Sequence, residues 1–153
     1  MKRILRDRSG SIPLLFYGLL FALLGITFVI LEMGYAFEKT DYATDVIQRC
    51  VNSAVERNML DEYRQDGILL LDTDSAEKDF RYYLGQDVTD GYSITVDSIS
   101  AYAGEADGSR LPSMTVEGTI SFETLMNTAA VRYPFRVRAT NYDTTDFELD
   151  RSY

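Results

Sequence analysis

The side chains that could do chemistry in this chain are few. Histidine is absent from the 153 residues, which removes the commonest general base, any Ser-His or Cys-His pair, and the commonest metal ligand. The single cysteine, Cys50, can close no disulfide within the chain. It is either a buried packing residue or a thiol that bridges to a second subunit, and its place among apolar neighbours favours packing. Carboxylates gather at Asp72/Asp74, Asp87/Asp90 and Glu105/Asp107, and the last two pairs each precede a glycine. Such pairs can hold calcium or move protons, but the regular spacing of a calcium-binding loop is missing, and solvated turns account for them. No Gly-x-Ser-x-Gly, phosphate loop or dinucleotide fingerprint occurs. The 11 tyrosines are scattered, as ordinary amphipathic packing would scatter them. The expectation is a non-enzymatic protein with no catalytic residue, no metal and no cofactor.

The elements that carry these residues begin with an apolar run. Ser11 to Leu31 holds no charged residue. As a helix it would span about 31 Å, close to the hydrocarbon thickness of a bilayer. A buried helix of a soluble protein is rarely apolar all round for so long. Pro13 stands near the start, where its missing N–H has no partner to lose. Gly18 and Gly25 are seven residues apart, so they share one face and could admit a close neighbour. Four basic residues, Lys2, Arg3, Arg6 and Arg8, precede the run, and acidic residues follow it. The positive-inside rule then puts the N-terminal leader in the cytoplasm and the C-terminal region outside. A cleaved secretory signal is the rival: Gly34-Tyr35-Ala36 offers a weak small-x-small site before Phe37, but the apolar run is long for such a signal.

Charge sharpens the partner class. The formal net charge is −9, and the first eight residues contribute +3, so the remainder carries −12. That field repels phosphate and argues against nucleic acid as a partner; a solvated exterior accounts for it with no acidic-surface function.

The helical pattern continues past the membrane surface. Ala36, Thr40, Ala43, Ile47, Cys50 and Ala54 alternate four and three apart, and Phe37, Val46, Val51 and Val55 widen the stripe. One helix from about Ile12 to about Met59 follows, with no Pro or Gly from Tyr35 to Asp66. The small seam residues Ala36, Ala43, Cys50 and Ala54 would allow close approach by the chain's own globular domain, the favoured partner, or by another subunit.

Beyond Gly67, Ile68–Leu71 is a short apolar run, a strand or a buried turn. Asp74-x-x-Glu77 resembles a capping box that would open a helix from Ser75 to Leu84, stopped by Gly85, with Phe80, Tyr83 and Leu84 buried. Three segments then alternate with period two: Tyr92, Ile94 and Val96; Met114, Val116, Ile120 and Phe122; Phe135, Val137 and Ala139, the last set opposite Arg136 and Arg138. Gly104–Arg110 reads as a turn, and Glu123–Val131 as a helical connector. The fold class is α+β: a long N-terminal helix, membrane span first and amphipathic stalk second, packed on a small antiparallel sheet of about three strands. The organisation is a basic cytoplasmic leader (1–10), a transmembrane helix (11–31), a helical stalk (32–66), a small α+β extracytoplasmic domain (67–141) and an acidic tail (142–153).

The order of these features resembles the pilin-like proteins of the type IV filament superfamily, and more closely the TadE/TadG-like pseudopilins of tight-adherence (Flp) pilus machines. Arg6-Asp7-Arg8-Ser9-Gly10 matches the family leader, Phe16 falls where the family aromatic lies, and the strands either side of a short connector, MTVEGTISFETLM and VRYPFRVRAT, are similar to the family's C-terminal part. The resemblance implies cleavage after Gly10 by a prepilin-peptidase-type protease, leaving Ser11 first. It also implies a cytoplasmic-membrane location reaching the cell surface in a pilus, and partners among pilin-like subunits and pilus-assembly machinery. One position departs: the fifth residue after Gly10 is Leu15, where related pilins carry a glutamate thought to pair with a neighbour's N-terminal amine. The chain is then either not a polymerising pilin or a minor component recruited differently. The alternative function is a single-pass membrane protein with an extracytoplasmic ligand-binding or sensory domain. Fewer than 100 residues follow the stalk, which leaves little room for a ligand pocket.

Overall fold

The charge-free run and the heptad-spaced stripe share one helix. In a computed structural model, which describes residues 8–60, 68–87, 91–107, 109–124 and 130–140, α1 runs unbroken from Arg8 to Arg57, 50 residues. That is about 75 Å at the usual rise. It starts one turn before the expected Ile12. It also ends before the expected stalk boundary at residue 66, and residues 61–67 lie outside the described ones. At the C-terminal end, the Asn58 amide donates to the Ala54 carbonyl at 2.8 Å, which satisfies a carbonyl of the last turn. The chain then turns: Leu60 N donates to Leu70 O, and Asp72 N to Asn58 O.

The run Ile68–Leu71 is not a strand of the sheet. It forms one antiparallel bridge, Leu71 with Met59, and Leu71 N donates to Ala103 O. It clips the helix end to the sheet's first strand. The second helix, α2, spans Thr73–Asp87, longer at both ends than expected. Its cap is Asp72 and not Asp74: the Asp72 carboxylate accepts from Ser75 N at 3.2 Å and from Ser75 Oγ at 2.7 Å. These bonds hold the Asp72 carboxyl below its ordinary range. Gly85 does not stop the helix; space around it is open, and Leu84 beside it stays buried. Ala76, Phe80 and Leu84 form the inner face, with Tyr83 partly buried against it.

Strands β1 (Ser93–Tyr102), β2 (Ser113–Phe122) and β3 (Val131–Thr140) form one sheet in the order β1-β2-β3. Both pairings are antiparallel, as the alternation implied. The register slips between Val96 and Ser98, so Asp97 is a bulge. The inward set of β1 therefore changes phase, from Ile94 and Val96 to Ile99 and Ala101. Near the bulge stands Gly118. A Cβ there would lie 2.1 Å from the Thr95 carbonyl oxygen and 2.8 Å from the Phe135 ring, so only glycine lets that ring cross the middle strand.

The sheet lays one face on α1. Val46, Ile47, Cys50, Val51, Ala54 and Val55 join Phe80 of α2 and Met114, Val116, Ile120 and Val137 of the sheet in one core. Phe37, expected to widen the stripe, is 64% exposed, because the sheet first meets α1 along the side that carries Ala36. The expected connector Glu123–Val131 falls largely on residues outside the described ones, as does the tail beyond Thr140.

Candidate functional site

Helix α1 has two surroundings, and this division is the molecule's main structural feature. From Leu14 to Leu31 every large apolar side chain is exposed, from 42% at Leu20 to 77% at Leu14. The only hydroxyl between Gly18 and Leu31, that of Thr27, donates to the Leu23 carbonyl at 2.9 Å and so needs no water. The helix is long and apolar enough to cross a bilayer once. Gly18 and Gly25 have no neighbour within 4 Å of a notional Cβ, so this protomer leaves both open. Gly10 and Ser11 lie in the first turn of α1.

The seam residues behave otherwise. Ala43 and Ala54 are fully buried, Cys50 is 2% exposed, and Ala36 packs partly against the same core. Their small side chains let the sheet approach the helix axis, as expected for packing on the chain's own domain. The other expectation, that Ala43, Cys50 and Ala54 contact another subunit, is corrected: the chain's own sheet and α2 already occupy that face. The bridging thiol fails for the same reason. Cys50 Sγ lies 3.8 Å from Asp87 Oδ2. Burial first, and the Asp87 carboxylate second, push its thiol up to about 11. A thiol that keeps its proton inside a core is a poor nucleophile.

Of the carboxylates singled out, Asp72, Asp87, Glu105 and Asp107 have partners within the fold, and Asp90 lies outside the described residues. Asp72 caps α2. In the turn after β1, Glu105 accepts from Ser109 Oγ and Tyr102 OH, which hold it below its ordinary range. Asp107 Oδ1 accepts from Ser109 N at 2.9 Å. Gly104 opens this turn at φ +93°, where a Cβ would strike the Leu69 carbonyl. Among the described residues no group of acidic or sulfur side chains could hold a metal ion.

The outer sheet face carries a feature that sequence reading left unassigned. Serines and threonines of β1 and β2 face outward beside Arg136 and Arg138 of β3, and Arg110 joins them from the turn. Together they line a shallow cleft of about 300 Å³. Arg136 bridges to Glu117 at 3.1 Å, Arg138 donates to Ser113 Oγ at 3.3 Å, and the Arg110 guanidinium stacks 4.0 Å from the Tyr102 ring centre. The alternation of arginine with apolar residues along β3 was the available signal; Arg110, in a turn, gave none.

A groove of about 290 Å³, mostly apolar, lies where the apolar half of α1 gives way to the domain. Glu32, Met33, Ala36 and Phe37 form one wall, and Thr124, Val131 and Tyr133 the other. Comparison with protein families, curated proteins and solved structures finds no match to this chain.

Proposed function

We propose that this chain is a non-enzymatic, membrane-anchored pseudopilin, a minor pilin-like component of a tight-adherence pilus or a related secretion assembly. One observation carries the reading: a single unbroken helix is bare and apolar over its first half and buries one face against its own sheet and α2 over its second. This is the architecture a pilin-like subunit requires, because the same helix must sit in lipid before assembly and against neighbouring helices after it. The Arg6–Gly10 leader and the basic-first charge order add support. They give a cytoplasmic N-terminus, an exterior domain and Gly10/Ser11 as the processing bond. Prepilin peptidase, pilin-like subunits and the assembly machinery are the partners this implies.

N-terminal sequencing of the membrane-extracted protein, coexpressed with a prepilin peptidase, tests the reading. A start at Ser11 is expected. An intact Met1 overturns pilin-type processing, and a start at Phe37 removes the anchor altogether. The sensory alternative draws on the arginine-lined cleft of the outer face and on a larger open depression of about 640 Å³ lined by Asn52, Arg110, Leu111 and Arg138, neither of which encloses a ligand as a small-molecule receptor does.

A further inference from the structure

We propose that the membrane-proximal end of the sheet, centred on Tyr133 and the groove it forms with Met33 and Phe37, is seated in the phospholipid headgroup layer of the outer leaflet. This rests on the membrane-anchor reading and adds to it a second point of contact, made by the domain and not by the span.

The argument is one of levels along α1. The middle of the charge-free run Ser11–Leu31 is Phe21. At about 1.5 Å per residue, Met33 then stands about 18 Å and Phe37 about 24 Å from the bilayer mid-plane. The hydrocarbon edge lies at about 15 Å and the outer limit of the headgroups at about 20–22 Å. Met33 is therefore at headgroup depth, and Ala36, about 22–23 Å out, is at the outer limit of the headgroups. Val131 and Tyr133 of the sheet line the same groove, across from Met33 and Ala36.

A second contact fixes the direction of the strand. Gln48 Nε2 donates to the Arg138 carbonyl at 3.3 Å. From Met33 to Gln48 the helix rises about 22 Å, and from Val131 to Arg138 a strand rises about 23 Å. So β3 climbs beside α1 away from the membrane, with Val131 and Tyr133 at its foot. Tyr82, on α2, lies at the far end: its neighbour Tyr83 accepts a hydrogen bond from Arg57, a level about 54 Å from the mid-plane.

The residues at the foot suit that depth. Met33 and Phe37 are 55% and 64% exposed, and Tyr133 is 37% exposed. In water these would form an uncovered apolar patch beside the span. Tyr133 stacks on buried Phe122 at 5.8 Å with an interplanar angle of 5°, which fixes an amphipathic ring where tyrosine is enriched in membrane proteins. Arg132, on the opposite face of the same strand end, is exposed and can reach lipid phosphate. The occupant of the groove is thus continuous with the lipid around the span.

The chain contains no tryptophan, so single-tryptophan variants report depth without background. Full-length F21W, Y133W, R132W and Y82W are reconstituted into phosphatidylcholine vesicles carrying a nitroxide on the headgroup or at the acyl-chain end. The expectation is about twofold quenching of Y133W and R132W by the headgroup nitroxide, of F21W by the deep nitroxide, and of Y82W by neither. R132W leaves the Phe122–Tyr133 stack intact and carries the test should Y133W fail to fold. If F21W is quenched while both foot reporters are not, the seating is overturned and the anchor stands. In that case, accessibility to aqueous acrylamide would mean an open groove, and protection from it a protein partner. If F21W is not quenched, the anchor reading fails and the seating with it.

Discussion

Truncating Ile47 to alanine separates a helix bound to its own domain from one waiting for a partner. Ile47 is fully buried, within a seam whose neighbours Ala43, Cys50 and Ala54 are too small to close a hole. The substitution removes three carbons, about 0.8 kcal/mol each in transfer. If about 40 Å³ stays unfilled, the cavity adds about 1 kcal/mol. The sum, about 3.4 kcal/mol, is a large share of the stability of a small domain. With a urea slope of about 1–3 kcal/mol per molar, the midpoint falls by roughly 1–3 M. Leu24→Ala, at a position 56% exposed on the apolar half, leaves the midpoint unchanged. The assay is urea unfolding of the full chain in detergent micelles, followed by far-ultraviolet circular dichroism and tyrosine emission. A shift under about 0.5 M, or one that depends on protein concentration, refutes intramolecular burial of the seam.

Gly118→Ala places a methyl against the Thr95 carbonyl and the Phe135 ring; it costs about 1–3 kcal/mol or more, read as a lower melting temperature, whereas Gly25→Ala, in open space, costs nothing measurable. The Asp72 carboxyl is lowered in the folded state by its Ser75 bonds, so its contribution is complete above the ordinary carboxylate value and is lost as pH falls through the lowered one; Asp72→Asn should flatten the acid limb of the stability–pH curve. Cys50 is raised from 9.0 to about 11, so stability it supports is complete below pH 9 and declines as pH rises toward 11. Cys50→Ala should remove that alkaline decline, and maleimide should label Cys50 only when urea unfolds the domain.

The features legible in the sequence were those with a period. The 3.5-residue stripe from Ala36 to Ala54 and the three alternating strands specify burial directly, because one face of each must leave water. The cap was misplaced at Asp74 because Asp74-x-x-Glu77 matches a reciprocal pattern, while the working cap Asp72 receives Ser75 three residues on. Gly85 as a stop was outweighed by packing: its conformational penalty of about 1 kcal/mol is smaller than what burying Leu84 returns. Phe37 fits the stripe by number, yet the sheet reaches only one side of the helix at that height. The bulge at Asp97 and the approach of Phe135 over Gly118 are contacts between strands, which no single strand's pattern encodes.

The division of α1 constrains any assembly this chain enters. A three-stranded sheet with one apolar face needs a cover, and the stalk of α1, with α2 beside it, supplies it. The seam cannot be released to another subunit without exposing Met114, Val116, Ile120 and Val137, all buried. Four such side chains at about 1.5–3 kcal/mol each amount to about 6–12 kcal/mol, comparable to the whole stability of a typical domain. Subunit contacts are therefore left to surfaces the fold does not use: the face of Gly18 and Gly25, where backbones can meet closely, and the arginine-lined outer face of the sheet. With Leu15 in place of the glutamate expected in a polymerising pilin, the apolar half offers shape without a charge partner. Recruitment through it would rest on close packing in lipid, a weaker and less directional force than a buried ion pair.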